Sequence, residues 1–130
     1  MAGTLEISED LCWMPAGWVY DNMLERMALV LKEKDVMLAN MLLQSRTDDN
    51  GGYCDLRMMD GGQLLRLAKA ADDVCLQIEV EGAPSLHDPS SYPGFVGQLR
   101  QLREMLRKRA GERALLESDH RCHPTPLTLM

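Results

Sequence analysis

The sequence predicts a mainly α-helical domain, a small bundle of three to five helices with a short extended arm at its N-terminus. Three observations point there. Apolar residues recur at spacings of three and four over residues 19–31, 64–78 and 95–106, the rhythm of one buried stripe along a helix. The stretches between them are rich in Asp, Asn, Gly, Pro and Ser, which favour turns. The length of 130 residues, with 45% apolar and 26% charged side chains, suits a single soluble globular domain rather than a disordered chain.

Taken in order, residues 3–8 place Leu5 and Ile7 two apart around Glu6. This is a short strand or an extended arm, and one strand alone would be marginal without a partner. Ser8 to Pro15 reads as a turn in which Trp13, with Trp18, anchors the start of a helix. Pro15 suits a first helical turn, because its missing N–H would have no partner there. Val19, Met23, Met27, Val30 and Leu31 form the stripe of this helix, with Leu24 beside it. Asp21 and Glu25 share a side, but no Glu-x-x-His motif accompanies them, so they read as solvated charges. The run Lys32-Glu33-Lys34-Asp35 breaks or bends the helix. A second apolar run, Met37 to Leu43, is either a short helix capped by Asp35 or a continuation of the first.

Residues 45–52 form a loop whose Asp48-Asp49-Asn50 run lacks the spacing of a calcium loop. Tyr53 to Met59 is open between an extended piece and a helical turn. The central helix follows, capped by Asp60, with Leu64, Leu67, Ala68, Ala71, Val74, Cys75 and Ile78 on its stripe. Gly61 and Gly62 at its start lack the Lys and Ser/Thr of a phosphate-binding loop, and close packing is their expected role. Val74, Leu76, Ile78 and Val80 also alternate with period two, which keeps an α+β fold as the alternative. A polar loop over residues 81–93 carries His87, which no nucleophile motif accompanies. The last helix is marked by Phe95, Leu99, Leu102 and Leu106, with Arg100, Arg103, Arg107, Lys108 and Arg109 mostly on its other side. We expect one helical domain over residues 1–113 and a tail over residues 114–130, where two prolines oppose helix.

The net charge of −6 is unevenly spread: residues 1–98 carry 16 acidic against 7 basic side chains, and residues 99–130 carry 4 against 7. An acidic body argues against nucleic acid, which requires clustered Lys and Arg, and suits a basic protein partner. No stretch approaches the roughly 18 apolar residues of a membrane span. Cys12, Cys54, Cys75 and Cys122 form no C-x-x-C pair, and MAGTLEISED is unlike a secretory signal. Free thiols in the cytoplasm are therefore expected. Ten Met suit an adaptable core, or a surface that repacks around a partner.

No catalytic constellation stands out, so the expected function is non-enzymatic protein binding without a cofactor. In size and acidity the chain is similar to bacterial immunity and antitoxin proteins, which cover a toxin's active site; no motif carries this likeness. The residues expected to meet a partner are Asp48, Asp49, Tyr53, Asp72, Asp73 and Tyr92. Two alternatives stand beside it. One is a self-assembling adaptor subunit that forms a homo-oligomer through a Met-rich face. The other is a small enzyme or metal-binding domain using His87, His120, Cys122 and His123, though H-x-C-H matches no standard zinc module.

Overall fold

The computed structural model describes residues 3–47, 52–81 and 92–122, with the side chains of the last segment described over residues 93–116. Among them run β1 (Thr4–Glu6), β2 (Cys12–Trp13), α1 (Gly17–Leu31), α2 (Val36–Gln44), β3 (Tyr53–Asp55), α3 (Gly61–Glu81) and α4 (Tyr92–Cys122). The fold is mainly α, four helices and a small sheet. The N-terminal arm is the centre of that sheet. β1 pairs antiparallel with β2 and parallel with β3, in the order β2-β1-β3. Leu5 thus lies between Trp13 and Cys54, and all three side chains turn into the core.

Residues 74–80 are helical, which removes the strand alternative. Val74 and Ile78 are buried while Leu76 and Val80 are exposed, as the helical period requires. α3 begins in a reciprocal cap: the Gln63 amide donates to Asp60 Oδ1 (2.7 Å) and the Asp60 amide donates to Gln63 Oε1 (3.1 Å). The break between α1 and α2 is real, because Asp35 Oδ1 accepts from the Leu38 amide (3.1 Å) and caps a separate helix. Pro15 lies two residues before the start of α1, ahead of Ala16 at its N-cap, rather than in the first turn. Asp21 is not simply solvated. Its carboxylate accepts from the Thr47 amide (2.9 Å) and hydroxyl, tying α1 to the segment after α2. α4 stays helical through Cys122, so Gly111 and the expected boundary at residue 113 lie inside it.

The helices close one core. α3 and α4 form an antiparallel hairpin with the most extensive packing in the molecule, and α1 lies across α3 with α2 folded back on it. Val19, Met23, Met27, Leu64, Leu67, Phe95, Leu99 and Leu102 are fully buried within this cluster. Burying each such side chain contributes about 1.5–3 kcal/mol.

Tyr20 joins the layers. Its ring is fully buried and stacks on Trp13, with centroids 6.3 Å apart. Its hydroxyl donates to the Ser45 carbonyl at the end of α2 (3.0 Å). Its other face rests on Gly3, where a Cβ would fall inside the ring. Trp13 in turn donates from Nε1 to the Gln98 carbonyl of α4 (2.9 Å). Gly3→Ala should therefore destabilise by about 1–3 kcal/mol through overpacking, and Tyr20→Phe by about 1 kcal/mol through the unpaired Ser45 carbonyl. Urea unfolding midpoints measure both.

Burial pushes the Tyr20 phenol up, with Cys54 and Asp21 adding to it, and burial likewise pushes the Cys54 and Cys75 thiols up. Each raised group favours the folded state fully below its unfolded pKa and loses that contribution as pH rises through the folded value. Stability should fall from about pH 9, where unfolded thiols ionise, and more steeply above about pH 10, where unfolded tyrosine does. Tyr20→Phe should flatten the second part of that decline in pH-dependent unfolding curves.

Candidate functional site

Of the residues expected to meet a partner, Asp48, Asp49 and the side chain of Tyr92 lie outside the described residues, as do His87, the side chains of His120 and Cys122, and His123. Tyr53, Asp72 and Asp73 are described, and they do not form one constellation. Tyr53 projects from the edge strand β3, and its hydroxyl donates to Glu6 Oε2 (3.4 Å). Asp72 stands at the α3–α4 seam, where Arg107 Nη2 donates to its Oδ1 (2.9 Å) and Arg103 lies 3.6 Å away. Asp73, the next residue of α3, is exposed.

Ion pairs across the molecule show where much of the acidic charge goes. Glu79 pairs with Arg100 (2.7 Å), Glu81 with Arg26 (2.8 Å), Asp35 with Arg66 (3.0 Å) and Glu25 with Arg46 (3.0 Å). Arg57 Nε meets Glu6 (2.7 Å) and its Nη2 meets Asp55 (2.9 Å). Hydrogen bonds from that guanidinium, and one from the Arg57 backbone amide, hold the Asp55 carboxyl below its ordinary value. Of the basic C-terminal third, Arg100, Arg103 and Arg107 clamp α4 onto α3.

Among the described residues, three surfaces are of interest. The first is the outer face of α3, where Leu76 and Val80 lie one turn apart and are 54% and 88% exposed. Gln77 and Glu81 complete a shallow hollow around them. Leu65, three turns earlier on the same face, is also exposed. The second is a groove of about 260 Å³ between the start of α3 and α4, lined by Gly61, Leu65, Ala68, Ala110, Gly111 and Ala114. Leu115 and Leu116 are exposed just beyond it. The third is a polar cleft of about 580 Å³ between the β1–β2 turn and α4.

Sequence reasoning put Asp72 and Asp73 forward but not Leu76 and Val80, whose exposure only the packing of α3 fixes. It also missed the cleft, whose walls lie about a hundred residues apart in the chain. Among the described residues no group of three or more His, Cys, Asp or Glu is arranged to hold a metal ion, and no helix is long and apolar enough to cross a membrane. Cys12, Cys54 and Cys75 are free thiols. Comparison with protein-family models, with characterised proteins and with solved structures finds no significant match to this chain.

Asp72 serves the seam, and its pairs are partly exposed to water. Asp72→Asn should therefore lower stability by less than about 1 kcal/mol, with the effect fading as salt rises. Leu99→Ala on the buried face of α4 should cost about 2–5 kcal/mol. Denaturant titrations at low and high salt separate the two.

Proposed function

We propose that this chain is a non-enzymatic protein-binding domain that seats a partner on the outer face of α3, in the manner of an immunity or antitoxin-type inhibitor. One observation carries the reading: Leu76 and Val80 form an exposed apolar centre, with Asp72, Asp73, Glu79 and Glu81 around it. An apolar centre within a charged rim is the common anatomy of an interface. Asp72, Glu79 and Glu81 are already paired with arginines of the same chain, so exposed Asp73 is the rim acid that would meet a Lys or Arg of the partner. Asp73 suits that role better than Asp72, since Asp72 already faces Arg103 and Arg107.

Native mass spectrometry of the chain co-expressed with the products of adjacent genes tests this. The expected result is a one-to-one complex. Leu76→Asp with Val80→Asp should weaken it at least tenfold, and Asp73→Lys should weaken it less and reduce its salt dependence. A complex indifferent to all three substitutions would remove this face from the interface. The chain running alone with every neighbour would count against the inhibitor reading.

A second reading, self-assembly, draws on the groove lined by Gly61, Ala68, Ala110, Gly111 and Ala114 and on the exposed Leu115 and Leu116. Small residues let helices approach closely. Light scattering that gives a dimer for the native chain and a monomer for Leu115→Asp with Leu116→Asp would favour this reading over the first.

A further inference from the structure

The polar cleft has two oppositely charged walls. One is the turn between β1 and β2, pinned by its own hydrogen bonds. Ser8 Oγ accepts from the Asp10 and Leu11 amides (3.3 and 3.1 Å), and the Ile7 amide donates to the Leu11 carbonyl (2.9 Å). That geometry holds Glu9 and Asp10 at the cleft, both exposed. The opposite wall is α4, which contributes Lys108 and Arg109, with Glu112 one turn on from Lys108. Leu11 and Met58 add apolar surface, and Arg57 at the rim is already engaged by Glu6 and Asp55.

Arg109 is the informative residue. Among the described residues its Nε is buried and has no hydrogen-bond partner, as is also true of Arg113 one turn along, outside the cleft. A desolvated, unpaired donor on a charged group is costly, and such groups are rare without a cause. Lys108 and Arg109 also lie beyond pairing distance of the carboxylates facing them, although both signs line the same space.

We propose that this cleft binds a small zwitterion of dipeptide size. Its carboxylate lies on Arg109 and Lys108, its ammonium on Glu9 and Asp10, and an apolar side chain lies against Leu11 and Met58. A guanidinium matches a carboxylate in a planar, two-point contact. A multiply charged anion fits less well, because Glu9, Asp10 and Glu112 repel it. A metal cation fits less well too, because no three carboxylates converge there. The volume of about 580 Å³ lies within the usual range for small-molecule sites. This site is independent of the α3 face and of the reading built on it.

The experiment is a nitrogen–proton NMR titration of the intact chain with alanyl-leucine, following the Arg109 Nε–H signal. A saturable shift is expected, at least tenfold weaker with the N-acetylated or the C-amidated dipeptide, and weaker with alanyl-glycine. Arg109→Gln should abolish binding. Asp10→Asn, on the exposed turn and without consequence for the core, should weaken the free dipeptide and leave the N-acetylated form unchanged. Equal titration by the free and both capped forms would overturn the proposal. So would a shift with inorganic phosphate and none with the dipeptide, which would mark a plain anion site. No shift from any probe at millimolar concentration would mean that the two walls only face each other.

Discussion

The contact between the Tyr20 ring and the backbone of Gly3 is the constraint on which the rest of the fold depends. A three-stranded sheet with strands of two or three residues could not stand alone, and its attachment to the helices centres on this aromatic side chain, with Leu5, Trp13 and Cys54 buried in the same core. Tyr20 belongs to α1, lies on β1 through Gly3, stacks on Trp13 of β2 and bonds the end of α2 at Ser45. Trp13 carries the connection onward to α4 through Gln98. Only a residue without a Cβ allows the ring to seat, so β1 is located by the absence of a side chain as much as by its hydrogen bonds.

Once β1 is placed, both open polar features follow from it. Its pairing with β2 fixes the Ser8–Leu11 turn, which forms one wall of the charged cleft, and its pairing with β3 brings Arg57 between Glu6 and Asp55. The α3–α4 hairpin is organised differently. Its strength lies in the apolar seam of Leu64, Leu67, Leu99, Leu102 and Leu106, and the ion pairs at its edges set register more than stability. The acidic charge counted along the sequence is therefore not a free acidic face. Asp72, Glu79 and Glu81 are engaged with arginines of the same chain, and the surface offered to a partner is mixed, with an apolar centre.

The apparent alternation of Val74, Leu76, Ile78 and Val80 has a physical origin in this arrangement. Val74 and Ile78 belong to the core stripe, whereas Leu76 and Val80 belong to the exposed outer face. Two apolar faces of one helix, read together, imitate the period of a strand. The pattern that made the secondary structure ambiguous is thus the mark of the surface proposed to bind a partner. Nothing in the sequence separates the two, because hydrophobicity does not record which face other elements cover.

The sequence by itself determined the helical class, the stripes of α1, α3 and α4, the cap at Asp60 and the burial of Cys75. All of these rest on interactions within about four residues, which local pattern encodes. Only the tertiary structure decided that the arm at Leu5 is the middle of a sheet, that Gly3 makes room for Tyr20, and that Asp72 is engaged by Arg103 and Arg107. It alone set Glu9 and Asp10 opposite Lys108 and Arg109. Those pairings join residues from 8 to about a hundred positions apart. Their partners are chosen by how apolar faces close on one another, which no local stretch of chain specifies.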